Sequence, residues 1–491
     1  MRYELGPRVR DLADCAARAT PIVTHLLRAV RREKFWLLAW ACFIPLAVFR
    51  AEALAESDTF WETRTGLLIL RHGSIPTTDP FSWTAHGKGW ILNSWGFDLA
   101  LGSAHRLAGL AGVAVFAALL MMAVVGLALA LARSLGASPA VAGALLLTAT
   151  PLLLGWMSAR PQLIDYACTL ALALVLRRNL EQEPRRRRDA IGVGLLTAVW
   201  MNLHSGAVLG VGVVVLAGTL ALLLRRPGSG GLRWSLEAAV FAALGVVLNP
   251  YFVAVIPQSL RVQGASRSEG IPEWQPIHIT DLAQDVVLLI GFAALVLAFR
   301  RRDAAMIAAL AVSFGGALDA TRLLPILLLV SVPVLAAAAS RPALLRYLKT
   351  RRIVFAPAAS TVVLAVAFVA IHNVGSFGAP SPALYPDSRM VSAIPRGCHV
   401  FNSYLYGGLL ELQRPDLRVS LDSRNDLFGP RLIAQQEKIL DGKTHVAASL
   451  DGADCVLIPA RSPLVKELQT SPDWREARQS HLAALFIRAK R

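Results

Sequence analysis

The segment that decides the fold is AESDTFWETRTGLLILRHGSIPTTDPFSWTAHGKGWILNSW, which runs from Ala55 to Trp95. It carries acidic, basic and six aromatic residues within a sequence that is otherwise mostly apolar. A loop between two membrane spans needs only a few residues, so a polar loop of this length favours a function of its own. We interpret it as an active-site loop with Asp58 at its centre.

The composition around this segment is that of an integral membrane protein. Of the 491 residues, 55% are hydrophobic and 17% are charged, and the mean hydropathy is +0.51. The net charge of +17 would favour nucleic acid as the partner of a soluble protein. Here the basic excess lies in short loops, where it signals membrane topology. We therefore predict a lipid bilayer as partner and no nucleic acid.

Apolar runs predict a polytopic α-helical membrane protein with about eleven transmembrane helices. The runs begin near residues 35, 109, 138, 160, 190, 206, 235, 283, 304, 321 and 353. Lys and Arg cluster before the first run and after the fourth, sixth, eighth and tenth runs. Because such clusters stay in the cytoplasm, we expect a multi-pass protein of the cell membrane with a cytoplasmic N-terminus and an extracytoplasmic C-terminus.

This topology divides the chain into parts with different expected structures. Residues 1–34 form a cytoplasmic segment, 35–373 the transmembrane domain, 374–387 a linker, and 388–491 a small extracytoplasmic α/β domain. Outer loops are expected at about 53–108 and 251–281. The first should hold two amphipathic helices on the membrane surface, one around Trp61 to Leu70 and one from Trp95 to Leu107.

The five cysteines do not have the spacing of metal ligands. Cys398 and Cys455 are able to form a disulfide if the C-terminal part lies outside the cytoplasm. The N-terminal residues are polar and basic, so we expect no cleaved signal peptide.

Unusual polar residues converge at the outer ends of the predicted spans. They share one predicted membrane depth and comprise Asp58, Glu62, Arg160, Asn202, His204, Asn249, Glu273, Trp274 and Arg322. Polar and ionisable residues at membrane depth are costly and tend to mark function. Their convergence predicts a common site.

The acidic and aromatic residues of the first loop also have structural explanations. Asp58 is placed to cap a helix that begins beside it, and Asp79, before Pro80, is placed to form a turn. The tryptophans of this loop have the character of an aromatic belt at the membrane surface. The sequence leaves these explanations open.

The cationic residues have structural alternatives too. Arg160 and Arg322 lie at span ends, from which long side chains extend to lipid headgroups. Arg322 is also three residues from Asp319, the spacing of an ion pair within one helix. The alternative for His204 is that it is a hydrogen-bonded histidine at the membrane interface rather than a ligand or a base.

A series of short motifs, taken in order, resembles a known superfamily. The motifs are DTFWETRTG, TTDPFSWTA, SARPQ, VWMNLH, LNPY, EWQP, FNSYLYGG and SLDSRNDLFG. Their order and topology are similar to those of the GT-C membrane glycosyltransferases, and more closely to a group of bacterial membrane proteins classed with them. The resemblance covers nearly the whole chain. It implies transfer of a sugar from a polyprenyl-phosphate donor to a glycan, lipid or protein acceptor of the cell envelope.

The resemblance also implies roles for particular residues. An Asp of the first outer loop acts as general base, which falls on Asp58, with Glu62 as a second catalytic candidate. Arg160, Arg322 and His204 would stabilise the departing phosphate, and attack opposite to it would invert the sugar. Further substrate-binding candidates are Arg64, Asp79, Asn93, Gln162, Asn202, Asn249, Glu273, Trp274, Asp422 and Arg424.

One departure from the superfamily concerns metals. Many GT-C enzymes have adjacent acidic residues in this loop, whereas Asp58 has no acidic neighbour in the sequence. We therefore predict no cofactor and no essential metal, and leave a divalent cation as an open alternative.

Two other classes of function compete with the glycosyltransferase. A transporter or flippase of lipid-linked saccharides would have polar residues along a path through the bilayer, and Asp165 is one of the few charged residues inside a predicted span. A non-catalytic assembly or sensor protein would use the C-terminal domain to bind a partner.

Overall fold

The structure is a computed structural model that describes residues 33–181, 186–225, 229–341, 377–443 and 450–489. Nearly all of the predicted cytoplasmic segment 1–34, the predicted span near residue 353 and the first residues of the predicted linker lie outside the described residues. The division of the chain into these parts therefore stays a prediction.

The first part of the chain is helical. Its helices are α1 (Glu33–Ala51), α2 (Ser57–His72), α3 (Trp95–Ser134), α4 (Pro139–Leu153), α5 (Gln162–Glu181), α6 (Arg187–Leu203), α7 (Ala207–Arg225), α8 (Ser229–Val247), α9 (Val255–Ser268), α10 (Leu282–Arg301), α11 (Ala304–Asp319) and α12 (Leu324–Ala339). Side-chain N-caps mark the starts of two of these helices. Asp281 and Asp303 accept backbone N–H groups in the first turns of α10 and α11.

Six of the described helices are long and apolar enough to cross a membrane. The number is seven if α8 and α9, which meet at an angle of 89°, form one broken span. The chain is thus a multi-pass helical membrane protein, while the count of eleven spans remains a prediction.

The predicted first outer loop contains helices at the two places that the sequence predicts. Helix α2 begins at Ser57, and α3 begins at Trp95 and has a break at Ala108 and Gly109, where Gly109 has a φ of 61°. The two helices cross with their backbones in contact, because a Cβ on Gly66 would lie 1.8 Å from the carbonyl oxygen of Asp98. This contact fixes the helix that carries Asp58.

The chain after residue 377 contains a five-stranded mixed sheet. Its elements are β2 (Ala379–Pro380), α13 (Ser388–Ser392), β3 (His399–Asn402), α14 (Gly407–Gln413), β4 (Arg418–Val419), α15 (Asn425–Leu440), β5 (Cys455–Pro459), α16 (Leu464–Thr470), β6 (Trp474–Gln479) and β7 (Ala483–Arg488). The strand order is β4-β3-β5-β7-β6, with β3 parallel to both of its neighbours and β7 antiparallel to both of its neighbours.

This C-terminal part packs on the first outer loop. The short strand β1 (Ala53–Leu54) at the end of α1 pairs in parallel with β2. Farther along the loop, Ser82 pairs with Val419 at the edge of the sheet, and the indole of Trp83 donates to the carbonyl oxygen of Val400 at 3.2 Å. The loop and the sheet therefore form one packed unit.

A disulfide joins Cys398 and Cys455, beside β3 and on β5. We expect Cys455→Ala to destabilise the sheet by about 2–5 kcal/mol, because the crosslink restricts the unfolded chain. The measurement is the rate of limited proteolysis of the C-terminal part in detergent, with Cys42→Ala, at an exposed free cysteine, as control. Equal protection of the Cys455→Ala variant and the wild type would contradict this expectation.

Candidate active site

Asp58 lies in the first turn of α2 and has partners on both carboxylate oxygens. Its Oδ2 is 3.0 Å from a guanidinium nitrogen of Arg160. Its Oδ1 accepts a hydrogen bond of 2.5 Å from the hydroxyl of Ser423 and a longer one of 3.3 Å from the indole of Trp61. The side chain is 23% exposed. A carboxylate has about four acceptor positions, so Asp58 can still accept a proton from the cavity.

Arg160 is the centre of the ion pairs around Asp58. It binds the carboxylate of Glu273 in a bidentate manner, with both distances 2.9 Å, and it lies 3.6 Å from Glu56. Burial alone would lower the pKa of Arg160, but the carboxylates of Asp58, Glu273 and Glu56 raise it well above its ordinary value. Burial would likewise raise the pKa of Glu273, which Arg160 and Arg322 instead lower. Arg160 and Glu273 are therefore both charged.

Arg322 is less fully paired than Arg160. Its guanidinium stacks 3.8 Å from the ring centre of Trp274, and its closest carboxylate oxygen, on Glu273, is 4.0 Å away. Within the part of the chain that the structure describes, this guanidinium makes no hydrogen bond to protein. Its N–H donors are thus available to an anion.

His204 belongs to a buried hydrogen-bonded group that the sequence did not reveal. Its Nδ1 lies 2.7 Å from Oδ2 of Asp165, whose Oδ1 accepts a bond of 2.7 Å from the indole of Trp200. A glycine at position 206 allows this arrangement, since a Cβ there would lie 2.1 Å from Asp165. With Nδ1 held by Asp165, the Nε2 atom of His204 is the one left for a ligand.

A cavity of about 660 Å³ brings these groups together. Its wall includes the residues just described, namely Asp58, Trp61, Arg160, Asp165, His204, Glu273, Trp274, Arg322 and Ser423. A second cavity of about 550 Å³ lies beside it, and its wall includes residues of α4, α10 and α12. Arg160, Glu273 and Arg322 line both cavities and form the boundary between them.

The C-terminal part supplies one side of the first cavity. Tyr404, Ser423, Asn425 and Asp426 line it. Tyr404 donates to Asn425 at 2.6 Å, and Gln258 of α9 donates to Asp426 at 2.8 Å. The wall of the cavity therefore combines residues of the helical part, both predicted outer loops and the C-terminal part.

Arg424 is fully buried next to this wall. Asp422 binds its guanidinium in a bidentate manner, Asp79 lies 2.8 Å away, and Glu411 lies 3.7 Å away. Four aromatic rings surround it, with centres 4.7–6.0 Å from the guanidinium carbon: Trp61, Phe81, Trp90 and Phe428. We call Arg424 with Asp79, Glu411 and Asp422 the Arg424 cluster.

Glu62 also lines the first cavity but differs from Asp58 in its environment. It is only 3% exposed, and its Oε2 atom has no hydrogen-bond partner. Burial, followed by the negative charges of Asp98 and Asp58, raises the pKa of Glu62 well above its ordinary value. The protonated form of Glu62 is therefore favoured, and Asp58 is the better candidate for the base.

The structure divides the predicted site residues into two groups. Those that line the cavities are Asp58, Glu62, Asn93, Arg160, Gln162, His204, Glu273, Trp274, Arg322 and Arg424. Those that lie outside both cavities are Arg64, Asp79, Asn202, Asn249 and Asp422. Their role in substrate binding stays a prediction, and the structure shows the following contacts for them.

Four of the five residues in the second group make the following contacts with other parts of the protein. Asn202 accepts from the indole of Trp95 and donates to the carbonyl oxygen of Leu248. Asn249 bonds to the backbone of the turn that follows it. Asp79 accepts from the backbone of the turn after it, and Arg64 lies over the ring of Phe81.

Among the described residues, no group of three or more His, Cys, Asp or Glu side chains is arranged to hold a metal ion. The absence of an essential metal stays a prediction.

Comparison with known proteins gives matches only among solved structures. No protein-family model matches the chain, and no curated protein matches it. The oligosaccharyltransferase of Archaeoglobus fulgidus with a tethered acceptor peptide is 12% identical, with a TM-score of 0.53 over 87% of this chain and 69% of that chain. AglB of the same organism, in complex with an inhibitory peptide and a dolichol-phosphate, is 12% identical, with a TM-score of 0.55 over 87% and 70%.

ArnT from Cupriavidus metallidurans, bound to undecaprenyl phosphate, is 11% identical, with a TM-score of 0.49 over 93% of this chain and 97% of that chain. The oligosaccharyltransferase structures are GT-C membrane glycosyltransferases. The chain therefore has the GT-C fold, and the resemblance seen in the sequence motifs is confirmed at the level of the fold.

Glu269 gives the region around the second outer loop a pH dependence. Burial, followed by the charge of Asp426, raises the pKa of Glu269 from 4.5 to about 7. The folded state thus binds the proton more tightly than the unfolded state, so stability falls as the pH rises from about 4.5 through 7. We expect Glu269→Gln to melt at a higher temperature than the wild type at pH 8.

The comparison at low pH is the control for this expectation. At pH 4.5 the advantage of Glu269→Gln should shrink, because the wild-type carboxyl is then protonated in the folded state. Thermal unfolding in detergent at both pH values measures the difference. An advantage of equal size at both pH values would contradict the assignment to the ionisation of Glu269.

Proposed function

We propose that the protein transfers a sugar from a polyprenyl-phosphate donor to an acceptor of the bacterial cell envelope at the outer face of the inner membrane. The observation that supports this most directly is the first cavity, where the carboxylate of Asp58 lies beside Arg160 and shares its wall with Arg322 and His204. A base and several cationic groups on one cavity are what glycosyl transfer from a phosphate requires.

In the proposed reaction, a hydroxyl oxygen of the acceptor attacks the anomeric carbon of the donor sugar. The bond from that carbon to the phosphate oxygen breaks, and its electron pair leaves with the polyprenyl phosphate. Asp58 takes the hydroxyl proton as the new glycosidic bond forms. Attack opposite to the phosphate inverts the anomeric configuration.

Arg322 and His204 would bind the departing phosphate. Arg160 is already paired with three carboxylates, so its main contribution is to hold Asp58 and Glu273 in place. Arg322 has unused donors, and Nε2 of His204 is free of Asp165. The growing negative charge on the phosphate would strengthen both contacts in the transition state.

The position of Asp165 removes support from the transporter hypothesis. The residue lies in the first turn of α5, at the cavity wall, and both carboxylate oxygens bond to His204 and Trp200. Its contacts are those of a residue that orients His204.

The test is sugar transfer by the purified protein from a panel of radiolabelled polyprenyl-phosphate sugars, with membrane extract as the source of acceptors. We expect one donor to support transfer and Arg322→Gln to lower the rate about 10²- to 10³-fold. The control is Arg133→Gln, at an exposed arginine paired with Glu33. Failure of transfer with every donor, or equal rates for Arg322→Gln and the wild type, would overturn the proposal.

A further inference from the structure

The carboxylate of Asp58, the candidate base, accepts a hydrogen bond from a residue of the C-terminal part. Ser423 donates its hydroxyl proton to Oδ1 of Asp58, and the indole of Trp61 donates to Ser423 Oγ at 3.1 Å as well as to Asp58. Arg160 holds the other carboxylate oxygen. The three contacts together fix the orientation of the carboxylate toward the cavity, and one of them comes from the C-terminal part.

The position of Ser423 is set by its two neighbours in the sequence. The backbone N–H of Arg424 donates to the carboxylate of Asp422 at 2.8 Å, and the same carboxylate binds the Arg424 guanidinium. Asp79 of the first outer loop lies on the other side of that guanidinium. The Arg424 cluster therefore joins the turn that carries Ser423 to the loop that carries Asp58.

A close backbone contact brings the same two parts together. A Cβ on Gly408, in α14, would lie 2.7 Å from the carbonyl oxygen of Ser57 and 3.1 Å from the backbone nitrogen of Trp61. Only glycine fits at this distance without displacement of one helix. The first turn of α2, which contains Asp58, is thus packed directly against α14.

We propose that Ser423 is the positioning residue of Asp58 and that docking of the C-terminal part on α2 completes the catalytic site. A hydroxyl that donates to a carboxylate holds it in one rotamer. Without Ser423, the carboxylate would retain Arg160 and Trp61 but lose its shortest hydrogen bond. The inference rests on the proposed role of Asp58 as base.

The first test compares Ser423→Ala with Ser423→Thr in the transfer assay. We expect Ser423→Ala to lower kcat by about tenfold, with little change in KM for the donor, because a hydrogen bond to a charged group is lost. Ser423→Thr keeps a hydroxyl and should restore kcat.

The control for this test is Ser392→Ala, since among the described residues the Ser392 hydroxyl bonds only to the carbonyl oxygen of Ser388 in its own helix. Wild-type kcat in Ser423→Ala would overturn the proposal. Activity of Asp58→Asn equal to the wild type would instead remove Asp58 as the base, so the two failures are distinguishable.

The second test alters the docking without changing Ser423. Gly408→Val should separate α14 from the first turn of α2 and lower kcat at least as much as Ser423→Ala does. Gly192→Val is the matched control, because nothing lies within 4 Å of a Cβ at Gly192. Non-reducing electrophoresis of the Cys398–Cys455 disulfide reports whether the sheet has folded. Wild-type activity in Gly408→Val would overturn the requirement for docking.

Discussion

Replacement of Asp58 with asparagine is expected to lower kcat for sugar transfer about 10²- to 10⁴-fold. The amide keeps the shape of the side chain and can still accept from Ser423 and Trp61. It is unable to take a proton from the acceptor, and it loses the charge that pairs with Arg160. The measurement is the single-turnover rate with a saturating donor, which separates the chemical step from binding and product release.

A matched carboxylate provides the control for Asp58. Asp189, at the start of α6, lies 3.8 Å from Arg188 and lines neither of the two cavities. Asp189→Asn should therefore transfer sugar at the wild-type rate. A single-turnover rate for Asp58→Asn within a few fold of the wild type would rule out Asp58 as the base.

Replacement of Arg424 with methionine is expected to have the largest effect on stability. It leaves Asp79 and Asp422 buried without their counter-charge, and breaking a buried ion pair in this way costs about 3–5 kcal/mol. The four surrounding rings also lose their contact with the guanidinium. The measurement is the midpoint of thermal unfolding in detergent, together with the rate of proteolysis of the C-terminal part.

Two further variants give this expectation a sharp test. Arg461→Met, at an exposed arginine, should leave the midpoint unchanged. Removal of the three carboxylates together with Arg424, through Asp79→Asn, Glu411→Gln and Asp422→Asn, should recover part of the loss, because no buried charge then remains uncompensated. A midpoint for Arg424→Met equal to that of the wild type would contradict the role of the Arg424 cluster.

Several features of the fold were predictable because they depend on local patterns. The amphipathic pattern predicted that the second helix of the loop ends at Leu107. In the structure, α3 has a break at Ala108 and Gly109. The positions of polar residues at the ends of apolar runs also predicted that Asp58, Arg160, Glu273 and Arg322 lie near one another. In the structure these residues form ion pairs. Such inferences need only a hydropathy period and a topology.

The partners of the site residues were not predictable from these patterns. Asp165 is a single acid in an apolar run, and nothing local indicates that it meets His204. Arg424 and Asp79 are far apart in the sequence, so their contact depends on how the sheet docks on the loop. The turn that the sequence allowed at Asp79 is present in the structure, because the carboxylate of Asp79 accepts hydrogen bonds from the backbone that follows it. One signal for Asp165 was the presence of a charge within a buried helix.

The contact between the C-terminal part and α2 has a consequence for the timing of activity during synthesis. Asp58 enters the membrane early as the chain is made, but Ser423 and Gly408 emerge only after the last described transmembrane helix. On the proposed mechanism, a nascent or proteolytically shortened chain would hold donor-binding groups without a correctly oriented base. The chain would thus acquire the ability to transfer sugar only once the C-terminal part has been made and has docked on α2.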